Sequence, residues 1–347
     1  MVHDTPPPLF NISPPLINSA NPWATSLDDL RTLYECPYTG AVTTRTSLIL
    51  GFPHNPSRHQ YTLFDAATHV SEQDRARLTG HENASLNTLG YSPHTLEDYM
   101  IFVREIAKAP CARSDKGFIL SVTGSPEEVV KCYNMIAHAQ DGVPFPLAME
   151  INLSCPNIPD KPPPAYNGES LLLYLAALGQ VIAEPETVRL PRIPVGIKTP
   201  PYTHSSEYLE LFRALEESAA RGPGGKSPVS FITATNTLGS CLVLADPAAK
   251  ASDGPALPVP GIGGMAGAPL HPLALGNVRT IRTMLDAKKD RLGGIQIIGV
   301  GGVLDGAGFN RMKSVGADVV GVGTGLGIKG VSIFEEILKD CSTSTTA

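Results

Sequence analysis

No stretch of this chain is long and apolar enough to cross a bilayer, no two cysteines form a CxxC pair, and no run of Lys and Arg occurs anywhere. The first lack argues against a membrane-spanning helix, and the opening MVHDTPPPLFNISPPL has no charged-then-apolar layout of a signal peptide. The second removes iron–sulfur and zinc frameworks and compact disulfide scaffolds. The cysteines stand apart at 36, 111, 132, 155, 241 and 341, which fits a reducing compartment and no metal site. The third, with a formal net charge of −6, argues against a nucleic-acid or acidic-membrane partner. Aromatics are only 6% of the chain.

Glycine and proline are plentiful instead, 33 and 32 of 347 residues, and they concentrate between patterned segments as turns. Eight short β-rich runs are predicted, at 15–19, 41–44, 118–122, 147–153, 194–198, 231–235, 296–300 and 319–323. Helical patterns alternate with them at 26–34, 92–107, 125–139, 169–183, 205–220, 271–287, 305–316 and 331–339, the first with Ser26 as N-cap. Strict alternation in this number predicts an α/β fold, a (β/α)₈ TIM barrel with long active-site loop excursions after strands 2 and 6, over 45–91 and 237–270. A doubly wound open sheet is the alternative, but it would carry a glycine-rich loop after its first strand, and none is there. The chain reads as one domain over 1–340 with a flexible tail at 341–347.

Barrel chemistry sits on the loops that follow the strands, and the unusual residues do follow strands. Cys155 stands in EINLSCPN (150–157), just past a buried strand, where a thiol can react rather than fill the core. Lys198 ends the fifth strand, as a charge aimed into a site or as a lysine reaching the rim. IIGVGGV (297–303) and VVGVGTG (319–325) end the last two strands, and GIGGMAG (261–267) is a third glycine-rich stretch. Together they suit a phosphate cradle, although turns needing positive φ would read the same way singly. Asn87, Asn152, Asn157 and Asn236 lie in separate loops; each is a plausible turn residue, and as a set they suit a planar, amide-rich ligand.

NLSCPNIPDKPPPAYN (152–167) closely resembles the catalytic loop of the soluble class 1A dihydroorotate dehydrogenases. GIKTPPY, TNTLGS, the GIGG loop, GVGG and GVGTG follow in the same order as in that family, over about 15–340. The resemblance implies oxidation of dihydroorotate to orotate in pyrimidine biosynthesis, by an FMN-dependent cytosolic homodimer that passes electrons to fumarate. It makes Cys155 the base that takes the C5 proton, while the C6 hydride goes to N5 of the flavin. By the same resemblance Arg45, Asn87, Asn152, Asn157, Asn236 and Thr237 bind substrate. Ala20, Arg45, Asn152 and Lys198 contact the flavin, and Gly263, Gly264, Gly301, Gly302, Gly323 and Thr324 surround its phosphate.

Three departures cluster early in the chain. TTRTS (43–47) puts Arg45 where the family has lysine, NTLGY (87–91) puts Tyr91 in place of leucine, and NSAN (18–21) puts Asn21 in place of glycine. An arginine is not a neutral exchange for lysine at a tight site. They leave open a same-fold flavin oxidoreductase acting on another dihydropyrimidine or a cyclic imide. A barrel that binds a phosphate ligand without turnover is the reading from a different class; Cys155, Lys198 and the asparagines speak against it.

Overall fold

The computed structural model describes residues 7–110, 112–154, 163–183, 190–245 and 254–344. Eight parallel strands form one sheet: β1 (Leu16–Asn18), β2 (Ala41–Thr43), β3 (Gly117–Val122), β4 (Leu147–Asn152), β5 (Val195–Lys198), β6 (Phe231–Ala234), β7 (Gln296–Val300) and β8 (Val319–Val322). They coincide with the eight predicted runs. Neighbours in the chain are neighbours in the sheet, and β1 pairs with β8 through Leu16↔Val320.

The remaining seam, between β1 and β2, is closed by one backbone bond and one side chain. Gly40 N donates to Leu16 O at 2.9 Å. The Asn18 amide then grips the Thr43 backbone from both sides, Nδ2 to O at 2.6 Å and N to Oδ1 at 3.0 Å. Asn18 thus does the work of a strand ladder.

Inside the barrel, Ile17, Ala41, Ile119, Ala148, Phe231 and Ile298 fill the lower end. A larger apolar layer lies between sheet and helices, with Leu120, Val195 and Ile232 against Tyr99, Leu178 and Leu211. Helix starts are set by capping boxes, in which a hydroxyl and an acid satisfy the first free N–H groups: Ser26 with Asp29, Thr95 with Asp98, Ser125 with Glu128. Thr95 takes that role for the second helix, which therefore begins at Leu96 and not at 92.

Two sequence expectations change. The excursions after strands 2 and 6 are not loops alone but meet as one antiparallel sheet. It runs Leu238–Cys241, Gly263–Gly267, Ala84–Asn87, Tyr61–Phe64, Ser71–Glu72, over a small core of Phe64, Ala84, Leu86, Val243 and Leu257. The last helix spans Ser332–Ser344, so the chain stays helical beyond the Cys341 boundary expected for a flexible tail. Its register brings the Cys341 thiol to 3.7 Å from Gly306 O, tying that turn to the barrel.

Candidate active site

The C-terminal ends of the barrel strands and the antiparallel cap line a cavity with about 970 Å³ of open space, part of it continuous with solvent. Its floor comes from strand ends, Asn152 at the end of β4, Lys198 at the end of β5, Asn236 and Thr237 after β6. Its roof comes from the cap, through Tyr61, Ser85, Asn87, Ala266 and Gly267. Strand register places Asn152 beside Lys198 and Lys198 beside Thr233.

The floor amides interlock. Asn152 Nδ2 donates to Thr46 Oγ1 at 3.0 Å, and its Oδ1 accepts from Ser154 N, Ser154 Oγ and Asn236 Nδ2, each at 3.2 Å. Asn236 Nδ2 also reaches Ser154 Oγ at 3.0 Å. Lys198 is 4% exposed and lines the cavity, and its ammonium has no hydrogen bond or ion pair to any described residue. The Thr235 hydroxyl, on another residue of the cavity lining, is buried without a partner among the described residues. An ammonium that opens only onto a cavity, with no counter-charge among the described residues, suits a polar, electron-rich ligand.

One flank is backbone. Gly302 has φ +67°, and a Cβ there would stand 2.5 Å from Gly267 O, so only glycine fits between the β7 loop and the cap. The N–H groups of Gly301, Gly302, Gly323 and Thr324 find no acceptor among the described residues, and all four residues face the cavity. Such a set of bare donors suits an anion. Thr324 Oγ1 is 2.8 Å from Ser85 Oγ, which pins the cap to this flank.

His271 braces the same loop. Arg311 Nε donates to its Nε2 at 3.0 Å, so Nδ1 carries the proton and donates to Gly301 O at 2.7 Å. Burial pushes the His271 pKa down, against the Gly301 carbonyl that raises it, and the Arg311 charge lowers it further. Nothing in HPLALGN marked this role, because Arg311 lies 40 residues downstream.

On the opposite flank Arg45 is 9% exposed and its guanidinium donates to Gly90 O at 3.3 Å and Thr25 Oγ1 at 3.5 Å. Phe52 covers Gly90 and meets Tyr91 edge-on at 5.9 Å. His54 and His59 meet at a tilt, 5.4 Å apart; burial lowers both their pKa values, helped by the Arg45 charge at His54 and by the Arg58 and then the Arg45 charge at His59. Asn21 turns inward on its own loop, Nδ2 to Ser19 O at 2.7 Å and Oδ1 to Trp23 N at 2.9 Å.

A family model described as Dihydroorotate dehydrogenase matches residues 69–344. This chain belongs to the dihydroorotate dehydrogenase family. It is 31% identical over 257 residues to "Probable dihydroorotate dehydrogenase A (fumarate)" of Streptococcus pneumoniae serotype 4, covering 74% of this chain and 71% of that one. It is 32% identical over 261 residues to the "Putative dihydroorotate dehydrogenase A (fumarate)" of Streptococcus pyogenes serotype M5, with 75% and 72% covered. These relatives agree with the class 1A, fumarate-linked resemblance of the catalytic-loop motif. A solved DHODH from Eimeria tenella, in complex with ferulenol, superposes with a TM-score of 0.68 at 15% identity, over 95% of this chain and 82% of that one, and shows the barrel fold.

Most expected residues of this dihydroorotate dehydrogenase family member meet at the cavity. Ala20, Arg45, Asn87, Asn152 and Lys198 line it, as do Asn236, Thr237, Gly301, Gly302, Gly323 and Thr324. Gly263 and Gly264 do not. They pair within the cap, where a Cβ on Gly263 would stand 2.2 Å from Asn87 O, and Ala266 and Gly267 of the same strand face the cavity instead. The glycine at 263 answers a close strand approach. Cys155 and Asn157 lie outside the described residues. Among the described residues no cluster of His, Cys, Asp and Glu could hold a metal, and no helix is long and apolar enough to cross a membrane.

Proposed function

We propose that this chain is a single FMN-binding domain that oxidises (S)-dihydroorotate to orotate in pyrimidine synthesis and passes the electrons to fumarate. The observation that carries the reading is the Lys198 side chain, which opens onto the cavity without a counter-charge among the described residues, next to the locked amides of Asn152 and Asn236. Two features fit FMN: a cation and an unpartnered Thr235 hydroxyl where an electron-rich ring edge would lie, and bare N–H groups at Gly301, Gly302, Gly323 and Thr324 where a phosphate would lie.

FMN, when bound, supplies the acceptor for the C6 hydride at its N5. The chain's own part is to hold and to deprotonate. Asn87, Asn152 and Asn236 present donors and acceptors to the ring, Asn157 and Thr237 complete that set by position in the motif, and Arg45 adds a positive charge for the carboxylate. Cys155, next after Ser154, removes the C5 proton as thiolate; a free thiol near pKa 8.5 is only a few per cent ionised at pH 7, so the site has to favour its charge. A homodimer is supported by the apolar side chains the cap leaves exposed, Val259 at 86%, Leu242 at 48% and Ile262 at 47%. A cytosolic setting rests on the scattered cysteines.

The tethering of Arg45 by Thr25 and Gly90 favours one second reading, a flavin oxidoreductase whose substrate is a related dihydropyrimidine or cyclic imide. Anaerobic mixing of the yellow protein with dihydroorotate separates the two. Bleaching of the flavin band, reversed by fumarate, is the expected result; a flavin that stays oxidised sinks the dihydroorotate reading and leaves the second.

A further inference from the structure

Beneath the cavity floor lies a carboxylate that the proposed reaction does not use. Glu150 is 2% exposed on the inner face of β4, one step below Asn152 in the same strand direction. Its Oε2 accepts from Thr233 Oγ1 at 2.6 Å, across β5, and its Oε1 accepts from Ser121 Oγ at 2.9 Å. From Ser121 a file of side chains climbs to the cavity. Ser121 Oγ is 2.9 Å from Thr46 Oγ1, which is 3.0 Å from Asn152 Nδ2.

The direction of every bond in this file follows from its lower end. A carboxylate accepts and does not donate, and each hydroxyl has one proton. Ser121 gives its proton to Glu150, so the proton between Thr46 and Ser121 is that of Thr46. Thr46 must then accept from above, which obliges Asn152 to turn its NH₂ down and its carbonyl toward Ser154 and Asn236. An Asn152 turned over would face three donors with a fourth.

We propose that Glu150 is a positioning residue: through Ser121 and Thr46 it fixes which end of the Asn152 amide meets Ser154 and Asn236, and so fixes the hydrogen-bond pattern the floor offers to a pyrimidine ring. The ligand in this inference rests on the function proposed above. The relay itself does not.

The test uses the holoenzyme and two readouts. Titration of orotate against the flavin band should show Kd raised about tenfold in Ser121→Ala and in Glu150→Met. The double variant should be no worse than either, because both cut one file. Thr233→Val touches the other oxygen of Glu150 but lies off the file, and should shift Kd by less than about twofold. Equal weakening by Thr233→Val, or losses that add in the double variant, would overturn the relay. The second readout needs no substrate. With ¹⁵N-asparagine label, the Asn152 side-chain amide resonance, located by its loss in Asn152→Asp, should move in Ser121→Ala and stay in Thr233→Val. If wild-type protein fails to bind orotate, the functional reading falls and the resonance alone decides the relay; an Asn152 amide unmoved by Ser121→Ala sinks it whatever the substrate is.

Discussion

The two sides of the cavity are built differently. On the later side, from β4 to β8, the lining groups are locked by the barrel itself: Lys198 and Asn152 are fixed in register, Asn236 is bonded to Asn152, and the Gly302 backbone is pressed against the cap. On the earlier side the lining groups lean on one another's loops: Arg45 on Thr25 and Gly90, Asn21 on Ser19 and Trp23, Tyr91 on Phe52. Groups fixed by strand register are hard to change without disturbing the fold, whereas groups held by loop contacts can be exchanged. All three departures from the family pattern, Asn21, Arg45 and Tyr91, fall on the earlier side. Under the proposed function, the later side carries the Lys198 charge that serves the chemistry and the earlier side carries ligand selection.

That division can be broken at its strongest point first. Cys155→Ser, which leaves a far weaker base, should slow anaerobic flavin reduction at neutral pH by about 10²–10⁴-fold while FMN stays bound. Unchanged single-turnover reduction would take proton removal away from Cys155. Next in size, Lys198→Met should slow the same step by about 10²-fold, because a single preorganised electrostatic contact is removed from a buried site. A variant with normal flavin reduction would mean that Lys198 belongs to the scaffold. Gly302→Ala forces a side chain onto Gly267 O at positive φ, and FMN retention on dilution should fall about tenfold or more.

The earlier side should respond less. Arg45→Lys should leave the fold intact and change the KM for dihydroorotate or for fumarate by about three- to tenfold, with single-turnover reduction at saturation nearly unchanged. If neither KM moves, Arg45 plays no part in selection. The smallest effect concerns pH. Since the fold lowers the His271 pKa below its ordinary value near 6.5, the bracing contribution is intact above that value and is lost as pH falls through the lower folded pKa. The thermal midpoint should therefore drop on acidification below about pH 6.5, and His271→Gln should flatten that drop. Parallel curves for both proteins would assign it to other groups.

What could be read in advance follows the same line. The barrel strands are runs such as FILSV and QIIGV, whose β-branched and apolar composition betrays them locally, and the residues at their ends were placed by the barrel rule. The cap strands were illegible. Ser71–Glu72 and Gly263–Gly267 have no strand composition, and the Gly264↔Asn87 pairing joins segments far apart in the chain. Gly263 and Gly264 stand in the cap and not among the cavity-lining residues, which could not be read for that reason, since a glycine near a phosphate and a glycine under a crossing strand look alike in sequence. His271 was missed because its meaning lies in Arg311 and Gly301. Tyr91 and Asn21 were noticed as departures, but their partners Phe52 and Ser19 are visible only in the fold.

The pairing of Leu16 with Val320 also dictates a timetable. A chain made from its N-terminus emerges with β1 hundreds of residues before β8 exists, so the first strand has to wait for almost the last. Until then one of its edges is held only by the Asn18 clasp and the Gly40 bond to β2, and the other is bare. The same late event brings Thr324 up to Ser85 and completes the glycine flank. Nascent chains halted before 319 should therefore be prone to edge-to-edge association and unable to retain flavin.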